Sequence, residues 1–501
     1  MPESPEPTPA PVSASSESAS ASAAGAQPER GGLPRGFTVE LGRRVRVFDG
    51  GRTLVGGAPP RVAHLSDKAR SLLRGRRLRA DDAASERLAD RLLGMGLADP
   101  VPAELPPVEL SALTVVVPVR DRPRELDRLL AALGGKVRAI VVDDESEHPE
   151  AVTRVAARHD AELVALPRNV GPAGARNAGL ARVRTPYVAF VDSDVVAEPE
   201  ALALLLRHFQ DPKVAAVAPR VLGLDETATA NWISRYEAAR SSLDLGPIAA
   251  PVHPRSLVGW VPSACLVARV SALGEGYAEG MRVGEDVDLV WRLVERGHRV
   301  RYEPAAAVRH DHRTRFSAWF GRKAFYGSGA HDLARRHGPA VAPAALAPWS
   351  LAVLGLLLAQ RRWSLPLSAA VLAAVSARLA RKVPRSRRPH RLAAALTGLG
   401  FAGAIGQGAG LLLRHWWPLS AAGCLFSRRV RRAVLLAALA DGVVEYVKLA
   451  PDLDPVRFMV ARRLDDLAYG AGLWAGAIKG RSARCLLPDL RPGTRRPGEG
   501  R

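Results

Sequence analysis

The chain has 501 residues, of which 47% are hydrophobic and 5% aromatic, and its formal net charge is +21 at pH 7. This length allows two or three domains with a substantial core, and the apolar fraction excludes a largely disordered chain. Cys265, Cys424 and Cys485 lie too far apart in sequence for a zinc motif or a disulfide framework, which indicates a reducing compartment.

The two N-terminal segments differ in residue composition. Residues 1–35 are rich in Pro, Ser and Ala and are predicted to form a disordered tail. For residues 36–105 we predict a small α+β domain of the winged-helix kind. In it, FTVELGRRVRVFDGGRTLVGG favours two short strands around an Asp-Gly-Gly turn, and LSDKARSLL and ASERLADRLLGMG favour helices. Because no cluster of catalytic residue types is present, we expect this domain to bind rather than to react.

In a predicted domain of residues 110–338, the chain from Leu113 to about Pro219 alternates between apolar strands and helices. The strand segments are LTVVVPV, RAIVVDD, AELVAL, YVAFVD and VAAVAP. Near-continuous Val, Ala and Ile strands separated by helices predict an α/β domain with a mostly parallel sheet that is covered on both faces. Ligands of such sheets bind beyond the carboxyl ends of the strands.

Polar residues follow three of these strands. The clusters after the first, second and fourth strands are Pro118 and Arg120, Asp143 and Asp144, and Asp192 and Asp194. A single aspartate pair is more often a helix cap or a solvated turn, but three clusters at equivalent positions favour one shared ligand site. No calcium EF-hand or glycine-rich phosphate loop accompanies them. A divalent cation that is held by carboxylates and completed by substrate phosphates fits the pattern.

Further acids and two histidines lie downstream. In GEDVDLVWRL, the residues Glu285, Asp286 and Asp288 stand where an apolar helical pattern begins. Capping and pairing with the helix dipole are one interpretation of these acids, and a functional role is the other. In VRHDHR, His310 and His312 follow a short predicted strand and are either surface residues or metal ligands.

Five segments in order carry a family resemblance: LTVVVPVRDR, VVDDES, PRNVGPAGARNAG, FVDSD and VGEDVDLVWRL. They resemble the motifs of family 2 glycosyltransferases with the GT-A fold, across residues 112–335. The resemblance implies inverting transfer from a nucleotide sugar, usually a UDP sugar, with Mg²⁺ or Mn²⁺. The Gln-x-x-Arg-Trp motif of processive relatives is replaced here by RFSAWFGRKAFYGSG, which disfavours a polymer-threading synthase.

The same resemblance implies roles for individual residues. The residues expected at the nucleotide sugar are Asp143 or Asp144 at the nucleobase, Asp192 at the ribose, and Pro118, Arg120, Arg168, Asn169 and Arg176 around the nucleotide. Asp194 would ligate the metal with His310, and His312 is the alternative ligand. Asp286 would be the catalytic base, with Glu285 as a supporting or acceptor-binding acid.

Residues 339–501 are apolar and rich in Arg. The segments 341–360 and 392–413 lack charges and approach the length of a membrane span, and 363–377 could complete a hairpin. A set of buried or interfacial helices is the alternative. ARLARKVPRSRRPHR and FSRRVRR suit an anionic cytoplasmic leaflet, whereas no nucleic-acid motif accompanies this charge. We expect association with the cytoplasmic membrane, an active site that faces the cytosol, and no nucleic-acid partner.

The domain order resembles the glycosyltransferases of the mycofactocin system of actinobacteria. That resemblance implies transfer of glucose from UDP-glucose to a small peptide-derived redox cofactor, a short oligosaccharide as product, and peptide binding by residues 36–105. One alternative is a membrane-associated glycosyltransferase of cell-envelope assembly with a lipid-linked acceptor, which would not need residues 36–100. The other is a non-catalytic scaffold that binds nucleotide or a partner, and the presence of Asp194 and Asp286 argues against it.

Overall fold

The computed structural model describes residues 31–224, 231–311 and 314–490. Residues 1–30 of the predicted tail lie outside this range. The described chain begins with an α+β unit, whose elements are β1 (Phe37–Leu41), β2 (Arg46–Phe48), β3 (Thr53–Gly56), β4 (Arg61–His64), α1 (Asp67–Leu72), β5 (Arg77–Ala80), α2 (Ala83–Gly94) and β6 (Ala98–Pro100). The strands form two antiparallel sheets with the orders β5-β1-β6 and β2-β3-β4. Both predicted helices and the Asp-Gly-Gly turn are confirmed, but the segment predicted to form two strands around this turn forms three, β1, β2 and β3.

Helix α2 shows why this unit folds where it does. Asp82 accepts hydrogen bonds from the backbone N–H groups of Ala84 and Ser85 at 2.9 and 2.8 Å, and Ser85 Oγ accepts one from the N–H of Asp82 at 3.0 Å. This reciprocal cap satisfies donors that the first helical turn leaves unpaired. Ala89 and Leu92, on the opposite face, are fully buried in the core of the unit.

The central domain is a nine-stranded sheet with helices on both faces. Its strands are β7 (Leu113–Val119), β8 (Arg138–Asp143), β9 (Glu162–Ala165), β10 (Tyr187–Val191), β11 (Val195–Val196), β12 (Val214–Gly223), β13 (Ala250–Pro251), β14 (Cys265–Arg269) and β15 (Arg299–His310). Its helices are α3 (Pro123–Leu133), α4 (Pro149–Arg158), α5 (Gly171–Leu180), α6 (Pro199–Leu206), α7 (Trp232–Arg240), α8 (Val270–Leu273) and α9 (Glu285–Glu295). The strand and helix order predicted from the sequence between β7 and β12 is confirmed.

The sheet order is β11-β15-β12-β14-β10-β7-β8-β9, and β13 pairs with β15. β7, β8, β9 and β10 are parallel, and β12 is parallel to β15. β14 is antiparallel to both of its neighbours, β10 and β12. Six of the nine strands therefore run in one direction, which confirms the predicted mostly parallel sheet, and β11, β13 and β14 are reversed.

Charged side chains dock the N-terminal unit on the central sheet. Asp90 of α2 accepts hydrogen bonds from Lys213 and Arg299, each at 2.8 Å. Arg301 of β15 pairs with Asp99 of β6, and its side chain is only 2% exposed. Because buried charges need their partners, these contacts hold the unit against the edge of the sheet that includes β15.

The rest of the described chain is helical. Its helices are α10 (Phe316–Ser328), α11 (Ala330–His337), α12 (Pro348–Ala359), α13 (Ser364–Lys382), α14 (Pro389–Gly410), α15 (Trp417–Phe426), α16 (Arg428–Leu449) and α17 (Pro455–Lys479). Within the described residues, one helix is long and apolar enough to cross a membrane, namely α14 with its π-helical continuation, Pro389–His415. The predicted apolar segment 341–360 forms only the 12-residue α12. At ~1.5 Å per residue this helix is too short for a hydrocarbon core of about 30 Å.

Helix α17 joins the helical region to the central domain. A Cβ at Gly476 would lie 2.6 Å from the carbonyl oxygen of Ser328, so α17 approaches α10 at a distance that only glycine permits. In turn, Trp319 and Lys323 of α10 both contact the carboxylate of Glu237 in α7 at 2.8 Å. α17 is therefore packed on the same body that carries the sheet.

Candidate active site

The carboxyl ends of β7, β8 and β10 lie side by side, because these parallel strands are neighbours in the sheet. Pro118 is the penultimate residue of β7, Asp143 ends β8, and Asp192 directly follows β10. The three polar clusters found in the sequence therefore share one edge of the sheet, as predicted.

The turn after β10 brings Asp194 beside His310. The N–H of Val195 donates to the carbonyl of Asp192 at 3.0 Å, and Val195 then pairs with His310 in the sheet. As a result, Nε2 of His310 lies 3.6 Å from Oδ1 of Asp194, and Arg122 also pairs with this carboxylate. His310 ends the 12-residue strand β15 rather than following a short strand as the sequence analysis expected. The alternative ligand, His312, lies outside the described residues.

Asp194 and His310 offer two of the ligand types that divalent cations take, and metal binding by this pair stays a prediction. Their side chains are 17% and 18% exposed, and they offer a carboxylate oxygen and an imidazole nitrogen. No group of three or more His, Cys, Asp or Glu side chains in the described part of the chain is arranged to hold a metal ion. A cation at this position would therefore take its remaining ligands from water and a diphosphate, as Mg²⁺ does in phosphate-binding sites.

A buried guanidinium connects the two acidic motifs. Arg176 on α5 donates to Asp192 at 2.6 Å and to Glu285 at 2.9 Å, and its side chain is 4% exposed. Burial opposes its charge, but Asp192 and Glu285 outweigh this and raise the pKa of Arg176. Burial also raises the pKa of Asp192; Arg176 counteracts this effect and Asp194 adds to it.

Helix α9 presents Glu285 and Asp286 in its first turn, after Gly284 at a φ of 82°. The Asp286 carboxylate accepts hydrogen bonds from the N–H of Val287 at 2.8 Å and from the backbone of Ser263. Burial and the charge of Glu285 outweigh these contacts and raise the pKa of Asp286 to about 7. A carboxylate with a pKa near neutrality is suited to general-base catalysis.

Asp288, on the same helix, has the opposite environment. It is fully buried and accepts hydrogen bonds from Arg292 at 2.8 Å, Arg336 at 2.5 Å and His337 at 2.9 Å. Burial alone would raise the pKa of Asp288, but these hydrogen bonds hold it well below the usual range. Asp288 therefore has a structural role, but it joins α9 to α11 rather than capping α9 as one interpretation of the sequence expected.

The carboxylates of Asp143 and Asp144 accept hydrogen bonds from backbone N–H groups. Asp144 accepts hydrogen bonds from the N–H groups of Val170 and Gly171 at 2.7 and 2.9 Å, and it thereby caps α5, which has no side-chain cap from its own N-cap residue. Asp143 accepts one from the N–H of Ser146 at 3.0 Å. These contacts order the loops between β8 and α5, and the nucleobase contact expected of this pair stays a prediction.

The other expected nucleotide residues lie on the rim of this edge. Asn169 donates from Nδ2 to the carbonyl of Asp144 at 3.3 Å, and Arg120 donates to the carbonyl of Glu145 at 3.3 Å. Arg120 and Arg168 are both exposed, so their guanidinium groups are accessible to a phosphate. Their nucleotide contacts stay predictions.

Arg122 and Ser263 also contact the site, although no sequence motif assigned a role to either. Arg122 is the second basic residue after β7, so its position beside the predicted site was a usable signal. Ser263 carried no such signal, because its contact with Asp286 depends on the reversed strand β14 that follows it. Its hydroxyl also lies 2.8 Å from that of Tyr277, whose ring lies 5.3 Å from the Arg176 guanidinium.

The central domain, a sheet covered by helices with carboxylates gathered at one edge, has the GT-A fold that the sequence motifs resemble. The model of the family "Glycosyl transferase family 2" matches residues 114–260. The chain is an enzyme of this class, with a GT-A domain and a helical C-terminal region.

The relatives narrow this class. The chain is 44% identical over 477 residues to the pre-mycofactocin glycosyltransferases of Mycobacterium tuberculosis strains CDC 1551 / Oshkosh and ATCC 25618 / H37Rv, which covers 92% of this chain and 99% of each relative. It therefore belongs to the family of pre-mycofactocin glycosyltransferases.

Two further similarities are partial. The poly-beta-1,6-N-acetyl-D-glucosamine synthase of Staphylococcus aureus strain COL is 28% identical over 191 residues, which covers 36% of this chain and 44% of that protein. A solved structure of a mannosyltransferase from Pyrobaculum calidifontis, in complex with GDP-Man and Mn²⁺, is 21% identical with a TM-score of 0.35, and the match covers 61% of this chain and 89% of that one.

Proposed function

We propose that this enzyme transfers glucose from UDP-glucose to the small peptide-derived redox cofactor precursor of the mycofactocin system and builds a short oligosaccharide on it. The observation that carries this proposal is the 44% identity to a pre-mycofactocin glycosyltransferase over 99% of the length of that relative. Similarity of this extent includes the N-terminal unit and the C-terminal helices as well as the sugar-transfer domain, and it therefore supports a common acceptor.

In the proposed reaction, Asp286 is the base. Its carboxylate accepts the proton of an acceptor hydroxyl while that oxygen bonds to the anomeric carbon, and the bond from this carbon to the diphosphate oxygen breaks on the opposite face. The configuration of the sugar is thereby inverted. A pKa of about 7 lets Asp286 be ionised before transfer and accept a proton during it.

The remaining residues hold the donor. Asp194 and His310 would bind Mg²⁺ or Mn²⁺, which stabilises the negative charge of the departing diphosphate when bound. Asp192 would accept a hydrogen bond from the ribose, Asp143 or Asp144 would contact the nucleobase, and Arg120, Arg168 and Asn169 would line the nucleotide. Arg176 keeps the Asp192 turn and the start of α9 at a fixed distance through its two ion pairs.

In this proposal, each of three successive segments of the chain has its own role. Residues 36–105 bind the peptide-derived acceptor, residues 110–338 carry out transfer, and residues 339–501 associate with the cytoplasmic membrane so that the active site faces the cytosol. The docking of Asp90 on Lys213 and Arg299 supports a fixed position of the N-terminal unit relative to the sheet.

The test is mass spectrometry of the cofactor precursor after incubation with the full-length protein, UDP-glucose and Mn²⁺ or Mg²⁺. We expect hexose additions that disappear on chelation and in Asp286→Asn. Asp332→Asn, which removes an exposed acid on α11, is the matched control and should retain transfer. Transfer to a prenyl-phosphate-linked acceptor, with none to the precursor, would overturn the proposed acceptor. Nucleotide binding without transfer to either acceptor would overturn the enzymatic assignment.

A further inference from the structure

Large apolar side chains are exposed mainly on the C-terminal helices. Leu425, Phe426 and Val447 are 78%, 89% and 74% exposed, and Leu435 and Leu436 between them are 64% and 65% exposed. Apolar side chains exposed in this number on neighbouring helices mark contact with a membrane or a protein. Its position in the fold and its surrounding charge decide between the two.

Two helix connections form one projecting feature of this surface. The side chain of Gln360, between α12 and α13, donates to the carbonyl of Arg429 at the start of α16, at 2.7 Å. This hydrogen bond joins the α12–α13 turn to the α15–α16 turn. We call the exposed side chains of the two turns the apolar tip, which consists of Trp363, Leu365, Leu425 and Phe426.

Six exposed arginines flank the apolar tip, in the α12–α13 turn and at the start of α16. This arginine rim consists of Arg361, Arg362, Arg428, Arg429, Arg431 and Arg432. Apolar and aromatic side chains beside clustered cations match the interface of a bilayer, where acyl chains meet anionic headgroups. A second protein would need a matching acidic rim, whereas anionic lipid supplies it directly.

The long apolar helix α14 has both ends tied to the folded body. Near its first end, Leu392 is buried with Val55 of the N-terminal unit, and Ser386 just before it donates to Asp49 at 2.8 Å. At its other end, the carbonyl of His415 accepts a hydrogen bond from Trp474 of α17 at 2.8 Å. A helix that crosses a bilayer places its ends on opposite sides of a hydrocarbon core of about 30 Å. A helix held at both ends by the same body runs along the surface instead.

We infer that α12 to α16 form an anchor in a single leaflet, in which the apolar tip inserts among the acyl chains and the arginine rim binds anionic headgroup phosphates. This inference rests on the proposed membrane association and specifies its form. The length of α15, 10 residues or ~15 Å, matches the depth of one leaflet. α14 lies parallel to the membrane, and no helix of the anchor crosses it.

The first test is flotation of the full-length protein with phosphatidylcholine vesicles that contain or lack phosphatidylglycerol, at low and high salt. We expect binding that requires phosphatidylglycerol and weakens with salt. Replacing Arg428, Arg429, Arg431 and Arg432 by Gln should lower binding by about fivefold per charge. Phe426→Asp should also lower it, whereas Leu257→Asp, at a 76% exposed site on the central domain, should not. Equal binding to both vesicle types, or a salt-resistant dimer that Phe426→Asp dissociates, would overturn the inference.

The second test is topology, with Cys424 as a native reporter beside the apolar tip. A membrane-impermeant maleimide is applied to intact and permeabilised spheroplasts that contain the parent or Arg387→Cys, whose new thiol precedes α14. We expect labelling at neither position from outside, and labelling of Arg387→Cys after permeabilisation. Labelling of either position from outside would show a crossing helix. Neither test uses the sugar-transfer reaction, and transfer to a water-soluble acceptor is measured separately, so failure of the anchor and failure of the proposed function are distinguishable.

Discussion

Arg176 and Asp192 are joined by a 2.6 Å hydrogen bond in a region where the Arg176 side chain is 4% exposed. The same guanidinium holds Glu285 at 2.9 Å, so one buried cation connects the turn that carries Asp192 and Asp194 to the helix that carries Asp286. In the proposed reaction, this contact couples the donor side of the site to the base, Asp286. The charges of Asp192 and Glu285 therefore both depend on Arg176, which has no direct part in bond formation in the proposed reaction.

Replacing Arg176 by Gln should therefore change stability and pH dependence together. Removing one partner of buried ion pairs leaves uncompensated charge, and we expect the free energy of unfolding to fall by about 3–5 kcal/mol. Arg176 lowers the pKa of Asp286, so its loss should move the acid limb of the pH–rate profile to higher pH. Urea unfolding and kcat/KM against pH measure the two effects.

The double variant Arg176→Gln with Glu285→Gln is the control for this prediction. It removes an unpaired carboxylate that the single variant leaves buried, so its loss of stability should be smaller than the sum of the two single losses. Additive losses, with an unshifted pH profile, would mean that Arg176 does not couple the two motifs.

Asp286→Asn should lower kcat by about 10²–10⁴-fold, because an amide cannot accept the acceptor proton. In the parent, kcat/KM should rise with pH through about 7 as Asp286 ionises. Steady-state kinetics with Asp332→Asn as the matched control measure both effects. A rate that does not vary with pH across this range would assign the base to another group.

The same substitution should not cost stability above neutral pH. Asp286 has a pKa of about 7 in the folded protein, above its ordinary value of 3.8, so the folded state binds more protons than the unfolded state between these values. The contribution of the Asp286 carboxyl group to the free energy of unfolding therefore falls as pH rises from about 4 to 7. Above pH 7 this contribution has been lost completely. We expect the Tm of Asp286→Asn to equal or exceed that of the parent near pH 8, and the difference to shrink in acid. A variant that melts lower near pH 8 would contradict this sign.

The sequence correctly predicted the strands, helices and strand ends that depend on local residue patterns. The strands from β7 to β12 and the helices between them were readable because continuous apolar runs alternate with amphipathic segments, and the polar strand ends followed from parallel topology. The placement of Asp194 beside His310 also followed a motif, although 116 residues separate them in sequence (310 minus 194). The strand ends could be predicted because each depends on one strand and the turn after it, whereas the contact between Asp194 and His310 forms through the pairing of β11 with β15.

Contacts that depend on tertiary packing could not be predicted from the sequence. From the sequence, Asp144 was expected to face the ligand. In the structure its carboxylate caps helix α5, which begins 27 residues later (171 minus 144) and has no side-chain cap from its own N-cap residue. Asp286 and Asp288 lie in the same segment, GEDVDLVWRL, and tertiary contacts distinguish them: α11 brings Arg336 and His337 to Asp288, whereas the backbone of Ser263 contacts Asp286. The reversed strand β14 was missed because the region before it contains neither a clear alternation nor a motif.

Metal dependence should respond in opposite directions to two neighbouring substitutions. His310→Ala removes a proposed ligand and should raise the Mn²⁺ concentration for half-maximal transfer by about 10–100-fold. Arg122→Gln removes the cation that pairs with Asp194 and should lower that concentration, because the carboxylate is then available to the metal ion. Calorimetric titration of Mn²⁺ in the presence of UDP provides a readout without turnover. Transfer that survives chelation in the parent would exclude the metal site.

Asp288 and His337 should govern stability at alkaline pH without affecting the chemistry. Although burial opposes its charge, His337 has its pKa raised to about 9 by Asp288 and Glu295. For a base with a raised pKa, the stabilisation is complete below its ordinary value of 6.5 and is lost as pH rises through about 9. The parent should therefore melt at progressively lower temperature between these values. In His337→Gln this part of the decline should disappear.

Asp288→Asn removes the shared acceptor of Arg292, Arg336 and His337, and it should lower the free energy of unfolding by about 3–5 kcal/mol. Asp332→Asn, an exposed acid on the α11 helix that Asp288 holds, should change it by less than about 0.5 kcal/mol. In Asp288→Asn molecules that remain folded, the midpoint of the kcat/KM profile near pH 7 should be unchanged, because Asp286 and not Asp288 sets it. A midpoint that moves with Asp288→Asn would show that the two acids of α9 share the catalytic role, contrary to their opposite environments.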